Sequence, residues 1–127
     1  MKPPEIVINI IPHKEHRYIG TCGDWFRDEN KTLVVNVSDM GDKRYAMCVA
    51  IHEIVEALLC EHDGVKEEDV TRFDMEFEAS RTNDDEPGDN QKSPYARQHC
   101  IATAVERLLC AELGLAWNDY DGAVNAL

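Results

Sequence analysis

Cationic residues are scarce in this 127-residue chain: 13 Lys and Arg stand against 25 Asp and Glu, a formal net charge of −12 with neutral histidine. Binding a nucleic-acid backbone rests on cationic side chains, so that partner is disfavoured. No stretch approaches the roughly 18 uninterrupted apolar residues of a membrane span, and Met1-Lys2-Pro3-Pro4-Glu5 lacks the apolar core of a signal peptide. The expectation is a soluble, cytoplasmic protein with no membrane partner. Cys22, Cys48, Cys60, Cys100 and Cys110 are odd in number and contain no CxxC pair, so they read as reduced, buried apolar side chains. The chain reads as free of internal repeats. It forms one domain, 1–127, long enough to bury a core without disulfide or metal staples.

What is present points to an α+β fold, with three short strands followed by three helices. β-Branched residues concentrate in Glu5 to Ile11, Arg17 to Thr21 and Thr32 to Val37, with Gly20, Gly23, Asp28 and Asn30 as punctuation. Asp42 is placed to cap a helix from about Lys43 to His62, which Gly64 stops. A second helix, about Lys66 to Ala79, carries Val70, Phe73 and Phe77 on one face and Glu67, Glu68 and Asp69 in its first turn, where the dipole favours them. Thr82 to Lys92 is a polar surface loop. Ser93 caps Pro94 at the start of a third helix that runs to about Leu113, and Trp117 and Tyr120 of the tail dock on the core.

Within the first helix, Tyr45 to Cys60 is apolar except for a few ionisable groups, chiefly His52, Glu53 and Glu56. An imidazole and two carboxylates do not enter a core without a partner, and a metal ion would accept all of them. His52 and Glu56 lie four apart on one helix face, with Glu53 roughly 100° away. Neutral imidazole and carboxylate are ligands that zinc, manganese and iron share, and a catalytic zinc takes three such groups plus an open position. His62 is a poor third ligand, because ten helical residues carry it roughly 15 Å along the axis from His52. His99 is the better one, on a stripe of the third helix with Tyr95, Ala102, Thr103 and Glu106, where short side chains permit close helix approach. Asp74 and Glu78, at i and i+4, and Glu106 remain as alternative ligands or as outer groups that orient a ligand.

The strand TLVVNV, a turn and then VAIHEIVEALL resemble the zincin metallopeptidases, whose hallmark is HExxH on a helix after a small sheet. The resemblance covers roughly Thr32 to Gly64 and rests on His52 and Glu53; Glu56 stands where the family has its second histidine. It implies His52 and Glu56 as metal ligands, Glu53 as the general base toward metal-bound water, and a divalent metal, zinc first among the candidates. HEIVEALLCEH also resembles the extended metzincin signature, but the glycine that turns that chain back is Leu59 here.

Other readings stand beside this one. His52 could be a hydrogen-bonded core histidine, with Glu56 or Glu106 paired to Arg44, Arg97 or Arg107. Asp74 and Glu78 could be a solvated helix edge, and His13 and His16 surface residues. The His62-Asp63 doublet resembles HD phosphohydrolases, and Glu53 with Glu56 one ExxE pair of the all-α nucleotide pyrophosphatases; spacing disfavours the first and the strands the second. The reading that accounts for most residues is a small zincin-like metal-dependent hydrolase, a peptidase or amidase, with metal held by His52, Glu56 and His99. Its substrate would be a peptide or small amide, and Tyr95 and the loop Thr82 to Lys92 would border the mouth. The alternative is a non-catalytic acidic module that binds or inhibits a protein partner, a DNA mimic included, with at most a structural metal.

Overall fold

The structure, a computed structural model, describes residues 2–17, 20–82 and 85–127. It is α+β: strands β1 (Ile6–Ile11), β2 (Gly23–Arg27) and β3 (Leu33–Ser38), then helices α1 (Lys43–His62), α2 (Glu67–Ala79), α3 (Ala96–Glu112) and α4 (Trp117–Asn125), with single 3-10 turns at His13–Glu15 and Pro87–Asp89. β3 is central, parallel to β1 and antiparallel to β2. The β2–β3 hairpin closes on Asp28, whose Oδ1 accepts the amides of Asn30 and Thr32 at 2.9 and 3.0 Å, with Lys31 at φ 62°.

The middle strand lies later in the chain than Arg17 to Thr21. Arg17, Gly20 and Thr21 are in no strand, and Tyr18 and Ile19 fall outside the described residues. β2 begins at Gly23, which therefore does not mark a break. A Cβ there would stand 2.6 Å from Val49 Cγ1 and 2.8 Å from Glu53 Oε1, so glycine lets the strand pass close under α1.

Leu33, Val35 and Val37 are fully buried on the sheet face that α1 covers. Ile6, Ile8 and Ile10 pair in register with them yet stay 41–45% exposed, because α1 spans β2 and β3 and leaves β1 as an open flank. Asp42 caps α1 as expected, its Oδ1 accepting the Arg44 amide at 2.9 Å. α3 starts two residues after Pro94: the Ser93 hydroxyl accepts the Tyr95 amide at 3.2 Å, but the intervening residues form a turn and Tyr95 is the capping position. The tail forms a fourth helix beyond the three expected, docked through Tyr120 at 1% exposure.

The helices form two hairpins of one design, so the chain does contain a repeat. Aligning Cys60 with Cys110 also superimposes Tyr45-Ala46 on Tyr95-Ala96, Ile51 on Ile101, Val55-Glu56 on Val105-Glu106, Leu58-Leu59 on Leu108-Leu109, Gly64 on Gly114 and Asp69 on Asp119. Local geometry follows. Gly64 and Gly114 sit at φ 74° and 72°, and the next amide returns to the Cys60 carbonyl at 2.8 Å and to the Cys110 carbonyl at 2.9 Å. Packing is reciprocal: Tyr45 meets Tyr120 of α4 edge-on at 5.4 Å between centroids, while Tyr95 meets Phe73 of α2 at 6.5 Å. α1 and α3 form the main helical interface, where the Cys48 and Cys110 sulfurs approach to 3.3 Å.

Candidate functional site

α1 and α3 bring His52, Glu56 and His99 together in the interior. His52 Nε2 lies 3.2 Å from Glu56 Oε2 and 3.2 Å from His99 Nδ1, and His99 Nδ1 lies 3.0 Å from the same Glu56 oxygen. All three side chains are at most 8% exposed. Small neighbours permit this: Ala102 is fully buried, and the Gly88 backbone lies against the His99 ring.

Each donor is held from behind or left open in a particular way. His52 Nδ1 meets Glu106 Oε1 at 2.7 Å, and Glu106 Oε2 accepts the Tyr120 hydroxyl at 2.5 Å. Glu56 Oε1 accepts the Trp25 indole N–H at 3.1 Å. His99 Nε2 faces the loop 86–89, with Glu86 Oε2 at 3.0 Å and Asp89 Oδ1 at 3.2 Å.

Burial disfavours charge on both histidines, but the carboxylates outweigh it. Hydrogen bonds to Glu106 and Glu56 hold His52 well above the usual histidine pKa, and the hydrogen bond to Glu56 together with the Glu86 carboxylate beside Nε2 pushes His99 up to about 10. Burial would raise Glu56, yet its hydrogen bonds from the two histidines bring it down to about 2. Glu53, half-buried at the cavity wall and beside the Glu56 charge, is held well above the carboxylate range by desolvation and that charge. Without an ion, two ring nitrogens only 3.2 Å apart share one carboxylate oxygen. Ligands about 2.0–2.2 Å from a tetrahedral ion stand roughly 3.3–3.6 Å apart. The donor set meets that spacing with shifts of a few tenths of an ångström, and its chemistry suits a divalent metal.

A cavity of about 490 Å³ adjoins the cluster, lined among others by Glu53, Trp25, Asp74, Tyr95, Glu86 and Asp89. Tyr95 is 2% exposed and its hydroxyl donates to Asp74, so it forms cavity wall rather than an outer lip, and Asp74 is not a solvated edge. Glu78 pairs with Arg81, Nε to Oε2 at 2.7 Å, away from the cluster. His62, on an 84% exposed side chain, contacts Asp63 at 3.0 Å and does not join the site. Arg44 pairs with Asp42, and the Arg107 guanidinium lies 4.4 Å over the Trp117 ring. His13 and His16 are half-buried and tied down: His13 Nδ1 and His16 Nε2 sit 2.8 and 2.9 Å from the buried Ser38 hydroxyl, which the parallel β1–β3 pairing brings within reach. Cys48, Cys60 and Cys110 are buried thiols, while Cys100 is exposed, on the outer side of α3.

Sequence patterns missed Trp25, Glu86 and Asp89. Trp25 falls between the strands expected from the sequence and is not a metal-ligating type, and Glu86-Pro87-Gly88-Asp89 reads as surface loop. The described residues hold two groups able to bind a metal ion: His52 with Glu56 and His99, and Glu86 with Asp89 and His99. Among them no helix is long and apolar enough to cross a membrane. Comparison with protein-family profiles, with curated proteins and with solved structures finds no match.

Proposed function

We propose that the chain is a small metal-dependent hydrolase of zincin-like design, acting on a peptide or small amide bond. The observation that carries this reading is the convergence of His52 Nε2, Glu56 Oε2 and His99 Nδ1 within 3.0–3.2 Å, with His52 and Glu56 each braced by a separate outer group, Glu106 and Trp25. The Glu106 carboxylate fixes the His52 ring orientation and raises its basicity, while the Trp25 indole N–H orients the Glu56 carboxylate. A divalent metal, zinc first among the candidates, would supply Lewis acidity and an acidified water.

Glu53 lines the adjoining cavity and is the group placed to move a proton. In this reading Glu53 accepts a proton from the attacking water and returns it to the leaving amine. The water oxygen bonds to the amide carbon, the C–N bond breaks, and the amine leaves with the proton Glu53 carried. Tyr95 and Asp74 line the space in which substrate would sit.

The near-complete burial of the three donors favours a second reading, a structural metal in a non-catalytic acidic module with a protein partner. Metal analysis of protein purified without chelator, paired with hydrolysis of a peptide-amide library, separates the two. The hydrolase reading expects about one tightly held equivalent, lost in His52→Ala and Glu56→Gln, and a Glu53→Gln variant that keeps metal but loses at least 100-fold in activity, the order that acid–base groups contribute. Undiminished turnover in Glu53→Gln would remove the assigned base, and metal content indifferent to Glu56→Gln would remove the site.

A further inference from the structure

The loop after α2 carries donors that the hydrolase reading does not use. Glu86 Oε2 and Asp89 Oδ1 lie 3.0 and 3.2 Å from His99 Nε2, the ring nitrogen turned away from Glu56. That imidazole is 6% exposed, and its Nε2 makes no hydrogen bond, because both carboxylates stand at ion-pair distance but off the line of the N–H bond. The contrast is with His52, whose outer nitrogen meets Glu106 at 2.7 Å in hydrogen-bonding alignment. Lateral flanking by carboxylates is of little use to an N–H donor, whereas donors gathered around a lone pair suit a cation.

The loop is seated for this purpose by its backbone. A Cβ on Gly88 would come within 2.3 Å of His99 Cγ and Nδ1, so only glycine lets the Pro87–Asp89 turn lie against the ring. That contact holds the carboxylates before and after Gly88 beside Nε2. The acidity of the surrounding cavity adds to the attraction, since Arg17 and Arg81 on its wall are already paired with Asp24 and Glu78.

We propose that Glu86, Asp89 and His99 Nε2 form a second divalent-cation position, making His99 a bridge between two metals. The proposal rests on the His52–Glu56–His99 centre for the bridging, not for the loop site itself. Glu86 and Asp89 are 47% and 65% exposed, so water completes the shell, and the ion held is exchangeable, with zinc or manganese suited to mixed nitrogen and carboxylate ligation. Bridging obliges His99 to give up both ring protons, so uptake of the second ion releases the Nε2 proton to solvent.

Zinc titration of the chelator-treated full chain, followed by calorimetry and native mass spectrometry, tests this. The wild type takes up two equivalents, the looser one at least tenfold weaker. Glu86→Gln with Asp89→Asn loses the loose equivalent and keeps the tight one, while Glu56→Gln loses the tight one and keeps zinc at the loop. A loop double variant that binds as many equivalents as wild type overturns the second site, and a Glu56→Gln variant that does so overturns the first. Circular dichroism of each variant confirms folding, which changes at exposed loop carboxylates leave intact.

Discussion

The two helical hairpins share a scaffold and divide the chemistry. Where α1 has His52 and Glu53, α3 has Ala102 and Thr103, and where α3 has His99, α1 has Val49. The positions common to both are those that build the hairpin: the leading tyrosine, the paired leucines, the cysteine and the glycine at positive φ. Glu56 and Glu106 are also equivalent, yet only Glu56 is enclosed by donors on three sides. Like frames therefore carry unlike loads, and the asymmetry marks where the site lies.

The largest test of that asymmetry is to remove each equivalent glutamate. Glu56→Ala strands the Trp25 indole and two imidazoles in the interior and should cost about 3–5 kcal/mol, as breaking a buried charged cluster does. Glu106→Ala, at a less enclosed position with two partners, should cost roughly 1–3 kcal/mol. Equal losses in denaturant melts would mean that the carboxylates do equivalent work and that the comparison is empty.

A pH series on metal-free protein comes next. His52 and His99 are raised in the fold, so their stabilisation is complete below the unfolded value of 6.5 and drains away as pH climbs toward about 10 for His99. Glu56 is depressed, so its contribution is complete above 4.5 and is lost toward about 2. Glu53 is raised, so its contribution is complete below 4.5 and drains away above it, which pulls the maximum toward the acid side. Stability in chelator should peak between about 4.5 and 6.5 and fall at either side; a flat profile from pH 6 to 10 would contradict the cluster's charge pattern.

Smaller still is the cost of replacing the shared glycines. Gly64→Ala and Gly114→Ala each force a Cβ into the left-handed region with open space around it, at roughly 1–2 kcal/mol. The two should agree within experimental error if the hairpins share one frame. The smallest effect is chemical: a thiol reagent should label Cys100 quickly and leave Cys48 and Cys60 untouched, since burial pushes both up to about 12.

Much of this was legible in the sequence because it is local. The Asp42 cap, the Gly64 stop and the i, i+4 placement of His52 and Glu56 depend on near neighbours, and α1 begins and ends where those signals put it. The convergence of His99 on them was readable from its stripe beside small residues. What was not legible depends on distant partners. β2 was misplaced because Gly23 reads as a break until Val49 and Glu53 are seen above it. Trp25 and Glu86 join the cluster only through the sheet and a loop, and no periodicity encodes that. The repeat is faint in the sequence because the residues that differ between hairpins are the conspicuous, ionisable ones, while most of the shared ones are ordinary core formers.

One contact gives the molecule a built-in optical gauge. Trp25 donates its indole N–H to Glu56 at 3.1 Å, while the other tryptophan, Trp117, sits beneath Arg107 on the C-terminal helix. Any event that redistributes charge on Glu56 alters the field across one indole and leaves the other, which would only add background, untouched. Emission from a Trp117→Phe variant would therefore follow occupancy of the cluster in real time, without a label and without knowledge of the substrate.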